Sequence, residues 1–109
     1  MTVLAHHIYE YEKGLRSLVL HTLPSSQAPG AVERLQRRGI CYHLERVDEN
    51  RMNLFLGDPL CMEVVKRMCQ KPLGTLSPEE DFILGIMLGY SRLGQCRRYM
   101  QRKALLKAG

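Results

Sequence analysis

Alternating apolar and polar positions predict three β-strands in the first half of the chain. Residues 40–47 alternate strictly, with Ile40, Tyr42 and Leu44 on one side of the strand. A turn at residues 48–50 leads into residues 52–57, which alternate again and predict the returning strand of a hairpin. An earlier β-rich run, residues 15–23, stops at Pro24 and predicts the first strand.

The other apolar positions recur at helical spacing between recognisable start and stop residues. Short helices are predicted over residues 6–13 and 31–38, each closed by a glycine. Asp58-Pro59 predicts the start of a helix that runs to about residue 70. Ser77 and Glu80 fit a capping box that opens a further helix, and from Ser91 this helix continues or restarts as a basic one.

This order of elements predicts an α+β fold. The order is α-β-α-β-β-α-α, and a hairpin beside the first strand favours a small, mostly antiparallel three-stranded sheet. Helices are expected on one face of the sheet, which leaves the other face open. The 109 residues form a single domain, residues 1–109.

Composition excludes several classes of protein. The longest nearly apolar run, residues 83–90, is far shorter than the ~20 residues that span a bilayer. No basic and apolar leader is recognisable at the N-terminus, so we expect a cytoplasmic protein. The four cysteines form no C-x-x-C pair and show no zinc-finger spacing, and without a secretory signal we expect reduced thiols. No cofactor is expected.

The positive charge is concentrated at the C-terminus. Residues 92–107 hold six basic residues and no acid, whereas residues 1–90 hold ten bases and eleven acids. We expect Leu93, Met100 and Leu105 to dock this helix on the body and the arginines to face outward. The leading hypothesis is a non-enzymatic interaction module that binds an acidic protein. The predicted partner-binding residues are Arg92, Arg97, Arg98, Arg102 and Lys103.

Nucleic acid is a weaker alternative for the same helix. Single-stranded nucleic acid is bound by stacking aromatics beside the charge, and the helix offers only Tyr99. Sequence-nonspecific binding to the phosphate backbone would need only the charge. A helix that is simply solvated is a further alternative.

A metal or thiol site is a second hypothesis, on the open face of the sheet. If the apolar side of residues 40–47 faces the core, Cys41 and His43 point away from it, and His21 of the first strand is predicted beside them. Imidazole and thiolate are ligands for zinc or iron. His6 or His7 would join them if the N-terminal helix covers that face. The alternative is that these are ordinary sheet residues.

A small-residue pair lies in the apolar helix, where Gly85 and Gly89 are four residues apart. This spacing allows a neighbouring helix to approach closely. The neighbour is either another helix or the sheet of the same chain, or a second copy, in which case the chain forms a homo-oligomer.

Three stretches of the chain, residues 6–16, 55–60 and 77–90, carry a resemblance to a known family. The chain resembles a small bacterial family of uncharacterised proteins, a domain of unknown function. The resemblance implies a compact α+β fold and brings no catalytic residues. It also implies an association with genomic neighbourhoods that contain flavodoxins, which are acidic, so a flavodoxin-like partner would suit the basic helix.

Overall fold

The structure, a computed structural model, describes residues 2–108, with side chains up to residue 106. It confirms the α+β class and the predicted order of elements. The helices are α1 (Val3–Glu12), α2 (Ala28–Arg37), α3 (Pro59–Met68), α4 (Pro78–Met87) and α5 (Arg92–Ala108). The strands are β1 (Leu18–Pro24), β2 (Cys41–Arg46) and β3 (Arg51–Gly57). Short 3-10 turns span Ser25–Gln27 and Leu73–Thr75.

The sheet is fully antiparallel, and its spatial order is β1-β3-β2. The β2–β3 hairpin brings His43 opposite Phe55, and β1 packs along the other side of β3 with Leu20 opposite Phe55. Strand β3 is therefore central and is the most buried of the three, while β1 and β2 form the two edges.

Helices cover both faces of the sheet, so the expectation of one open face was wrong. Helices α1 and α2 pack on the face that carries Val19 and Leu54. Helices α3 and α4 pack on the opposite face, which carries Leu18 and Phe55. Apolar residues lie on both sides of β3, so each side must be covered by helices to be shielded from water. The result is a three-layer arrangement with two small cores.

Local signals begin α3 and α4 where the sequence places them, whereas α1 and α2 each begin three residues earlier than predicted. The Asp58 carboxylate accepts a hydrogen bond from the Leu60 N–H at 2.9 Å, and Ser77 and Glu80 form the complete capping box. Gly57 lies against the backbone of the chain before β1, where an added Cβ would be 2.2 Å from the Ser17 carbonyl oxygen. A side chain at this position would therefore push β1 away from β3.

The apolar helix and the basic helix are separate elements because Gly89 ends α4. Gly89 has a φ of 79°, and the N–H of Tyr90 donates to the Gly85 carbonyl at 3.1 Å, which closes the helix end. Ser91 accepts from the Gly94 N–H at 3.2 Å and α5 then runs back along α4. The radius of gyration is 14.8 Å, above the roughly 13 Å of a compact domain this long, because the chain is elongated.

Candidate functional site: the α4–α5 hairpin

The inner side of α5 rests on α4 through a glycine contact. A Cβ added at Gly85 would lie 1.9 Å from Oε1 of Gln95, so the amide side chain occupies the space that a larger residue would fill. One turn further along, the rings of Phe82 and Tyr99 lie 5.6 Å apart at a tilt of 44°. The small residue at position 85 is thus explained by packing within the chain rather than by a second copy.

Ion pairs extend this contact along the first turn of α4. Arg98 donates two hydrogen bonds to Asp81, at 2.7 and 3.1 Å. Arg102 donates to the Leu76 carbonyl at 2.8 Å and lies 3.6 Å from Asp81. Lys103 lies 3.3 Å from the Glu79 carboxylate. These contacts anchor the basic helix to the acidic start of α4.

The predicted orientation of α5 was wrong. Leu93, Met100 and Leu105 are 61%, 65% and 72% exposed, and they do not dock the helix on the body. Arg98, Arg102 and Lys103, which were expected to face outward, pair instead with groups on α4 and the turn before it. The physical reason is that Glu79 and Asp81 lie beside α5 and attract its basic side.

The outward side of α5 is the candidate binding surface. At 100° per residue, five exposed positions share one side of the helix, and we call them the outer strip. The outer strip consists of Arg92, Leu93, Cys96, Arg97 and Met100. Within residues 2–106, neither Arg92 nor Arg97 forms an ion pair, whereas the other basic residues of α5 in this range do. Two of the five predicted partner-binding residues are therefore available on this side.

The first helix of the hairpin and the turn after it also expose apolar side chains. Ile83 and Ile86 of α4 and Tyr90 of the turn are all more than one third exposed. Isolated exposed apolar side chains are ordinary, but several on one hairpin are typical of an interaction site. Sequence reasoning missed this surface because it placed the apolar side of α5 in the core. The acid-rich first turn of α4 was the signal that could have corrected it.

The predicted metal or thiol site does not form as expected. The register places His43 in the row of Leu20 and Phe55, and Cys41 in the row of Leu18, on the face covered by α3 and α4. His21 pairs with Leu54 and lies on the opposite face. The convergence of His21, Cys41 and His43 is therefore wrong. Within the part of the chain that the structure describes, no three His, Cys, Asp or Glu side chains are grouped to hold a metal ion.

One histidine pair does come together, as suggested for an N-terminal helix that covers the first strand. The rings of His7 and His21 lie 5.3 Å apart between α1 and β1. Nδ1 of His7 is buried without a hydrogen-bond partner in the described structure. Burial and the proximity of His21 hold the pKa of His7 below its ordinary value, and burial also lowers that of His21. The lowered pKa values favour the neutral form of both imidazoles. His6 lies outside, 3.2 Å from Glu10.

Cys41, Cys61, Cys69 and Cys96 form no disulfide with one another in the structure. Cys69 is buried, and burial raises the pKa of its thiol to about 11. Cys96 is exposed on the outer strip. Within residues 2–108, no helix is both long and apolar enough to cross a membrane.

The chain belongs to a family described as a protein of unknown function (DUF2023), whose model matches residues 2–102. The match spans every element from α1 through most of α5, so the outer strip lies inside the family domain. No functionally curated protein gives a significant match.

Proposed function

We propose that this protein is a cytoplasmic interaction module whose outer strip docks an acidic partner protein. The observation that carries this proposal is the orientation of α5. The helix uses its inner bases to hold α4 and leaves an apolar strip between two unpaired arginines, Arg92 and Arg97, on the outside.

Charge supports an acidic partner. No acid lies between residues 91 and 106, so Arg92 and Arg97 have no counter-charge on their own helix. Clustered charge of one sign accelerates association with a surface of the opposite sign, and the effect decreases with salt. An acidic flavodoxin is a partner of this kind.

The apolar residues of the outer strip support a protein rather than a purely ionic partner. Leu93 and Met100 are seven residues apart and therefore lie on the same side of α5. This is the spacing of apolar anchors in a helix that packs in a groove. Methionine adapts its shape to an uneven surface. Burying these two side chains would add a contact that salt does not screen.

The test is binding of the full chain to a purified acidic flavodoxin, measured by calorimetry at low and at high salt. Replacing both outer arginines (Arg92→Gln with Arg97→Gln) is expected to weaken binding at low salt by about tenfold. Met100→Asp is expected to weaken it at both salt concentrations, because it places a charge in the apolar contact.

A matched control removes the same charge elsewhere. Lys66 and Arg67 are exposed on α3, so the pair Lys66→Gln with Arg67→Gln changes the net charge equally and leaves the outer strip intact. Equal loss in both double variants would show that only net charge matters and would contradict the proposed docking site. No binding at low salt, or equally tight binding to duplex DNA, would contradict the proposed partner.

A further inference from the structure

The backbone of β1 has an unpaired edge, and this edge is distinct from the outer strip. Strand β1 pairs with β3 on one side, and no strand pairs with its other side in the part of the chain described. Leu18 is fully buried at the start of the strand, whereas Thr22 is exposed. The open part of the edge therefore runs from Leu20 to Pro24.

The antiparallel register identifies the backbone groups that point outward. The N–H of Asp58 donates to the Ser17 carbonyl at 2.9 Å and the N–H of Ser25 donates to the Asn50 carbonyl at 2.8 Å, so odd-numbered residues of β1 bond to β3. Because the pattern alternates, the N–H and C=O groups of Leu20 and Thr22 point away from the sheet. No hydrogen bond satisfies them within residues 2–108.

A groove lies on each side of this open edge. On the face of α4, a cavity of about 400 Å³ is lined by Leu20, Leu73, Leu84 and Leu88. On the face of α1 and α2, a cavity of about 390 Å³ is lined by the apolar side chains of Leu4, Leu23 and Ala31 and by the polar ones of His21, Gln27 and Arg34. An added strand would send alternate side chains to opposite faces of the sheet, and hence into the two grooves in turn.

The two grooves differ in the charge that they leave available. The first is lined by five leucines together with Asp81 and Arg98, which are hydrogen-bonded to each other, so it offers an apolar surface to aliphatic side chains and its two charges are already paired. The second contains Arg34, which is exposed and has no ion pair in the described structure, whereas Arg37 and Arg38 of the same helix pair with Glu33 and Glu12. Arg34 therefore offers a free positive charge to an acidic side chain.

We propose that the open edge of β1 binds an extended peptide segment that alternates aliphatic and acidic residues. Leu20 and Thr22 supply the backbone hydrogen bonds, the leucine-lined groove takes the aliphatic side chains, and Arg34 faces the acidic ones. This mode of recognition gives affinity through the main chain and specificity through alternate pockets.

Charge argues against a second copy of this chain as the occupant. Strand β1, residues 18–24, contains no acidic residue, so a second copy paired along this edge would bring no carboxylate from its own β1 to Arg34. The opposite edge of the sheet, at β2, provides an internal comparison. By the same alternation, with Val47 N–H donating to the Arg51 carbonyl at 3.1 Å, the backbone of Leu44 also points outward.

The first experiment is amide hydrogen exchange of the full chain with and without an eight-residue peptide that alternates valine and glutamate. We expect the amides of Leu20 and Thr22 to exchange quickly in the free protein and at least tenfold more slowly with peptide. Leu44 should not change. Protection of Leu44 instead, or no peptide-dependent protection at Leu20 and Thr22, would overturn the proposal. If protection of Leu20 and Thr22 increases with protein concentration in the absence of peptide, the edge binds a second copy of the chain and the peptide proposal is wrong.

The second experiment isolates one backbone donor. Thr22→Pro removes the outward N–H without removing a bond to β3, and proline is tolerated at such edge positions. Thr22→Val is the matched control, because both variants lose the side-chain hydrogen bond to Asn53 and only valine keeps the N–H. Peptide affinity should be about fivefold lower in the proline variant than in the valine variant. Equal affinities would contradict the proposed pairing.

Arg34→Gln tests the charged groove. It should weaken binding of the valine–glutamate peptide and leave the affinity for a valine–serine peptide unchanged. Arg92→Gln on the outer strip should leave the affinity for both peptides unchanged. If Arg92→Gln weakens peptide binding as much as Arg34→Gln does, the peptide binds through general charge and the assignment to β1 fails.

Discussion

Arg98 holds the Asp81 carboxylate with two hydrogen bonds across the α4–α5 interface, from Nε at 2.7 Å and from Nη2 at 3.1 Å. Together with the contacts of Gln95, Tyr99, Arg102 and Lys103, it holds one side of the basic helix against α4 and the turn before it. The opposite side exposes Leu93 and Met100 beside Arg92 and Arg97, which form no ion pair within residues 2–106.

Asp81→Asn should loosen α5 from α4. The Asp81 side chain is 18% exposed and that of Arg98 is 56% exposed, so solvent screens the pair and the expected loss of unfolding free energy is about 1 kcal/mol. Faster amide exchange in α5 should accompany the loss. Glu33→Gln, which breaks the exposed pair with Arg37 on α2, should cost about 0.3–0.5 kcal/mol and leave α5 exchange unchanged. Unchanged exchange in Asp81→Asn would show that the ion pair does not hold the helix.

Gly85 and Gln95 should be energetically coupled. Alanine is favoured over glycine in a helix by about 1 kcal/mol, but at position 85 its Cβ displaces the Gln95 side chain. Gly85→Ala should therefore stabilise the protein more in a Gln95→Ala background than in the native chain, which a double-mutant cycle by urea unfolding measures. Gly30 lies in α2 with nothing within 4 Å of an added Cβ, so Gly30→Ala should stabilise both backgrounds equally. Additive effects at 85 and 95 would contradict the close approach of the two helices.

Protonation of Glu80 in acid should destabilise the start of α4. Hydrogen bonding from the Ser77 backbone, followed by the contact with Lys71, lowers the pKa of Glu80 from 4.5 to about 2. Because the folded-state pKa is depressed, the stabilisation is complete above the ordinary glutamate pKa and disappears as pH falls toward 2. Glu80→Gln should flatten the dependence of unfolding free energy on pH in this window. Glu63→Gln, an exposed change on α3, should leave the dependence intact.

The His7–His21 pair should make the fold less stable in mild acid. Both pKa values are lowered, so the unfolded chain takes up protons near pH ~6.5 that the folded chain resists. Unfolding free energy should therefore be highest above this pH and decrease as pH falls through it. His21→Gln should reduce the decrease, and His6→Gln, whose wild-type side chain is 62% exposed, should not. Urea unfolding on either side of pH ~6.5 measures the difference, and an unchanged decrease in His21→Gln would contradict the assignment.

Cysteine reactivity should follow burial. Cys41 and Cys96 are exposed, whereas burial raises the pKa of Cys69 to about 11, so little thiolate is present at neutral pH. An alkylating reagent should label Cys41 and Cys96 in the native protein and Cys69 only after unfolding, as mass spectrometry of the peptides will report. Labelling of Cys69 in the native protein at the rate of Cys96 would mean that the core beneath α3 opens readily.

The order of helices and strands and the fold class could be predicted without a structure. Strand alternation, the Asp58 and Ser77 caps and the terminal glycines act between residues close in the chain, so their patterns are legible without a structure. These local patterns were enough to predict an α+β fold with its elements in the observed order and a basic last helix.

Which surfaces are exposed depends on contacts between residues that are far apart in the chain. The pairing of β1 with β3 separates His21 from Cys41 and His43, and helices on both sheet faces leave no open face. The orientation of α5 depends in part on Asp81, which is 17 residues from Arg98 in the sequence but is hydrogen-bonded to it in the folded chain. Either side of an amphipathic helix can face the rest of the protein, and the side that does so is set by the residues that the fold places next to the helix. Here that partner is acidic, so the basic side turned inward and the apolar side remained exposed.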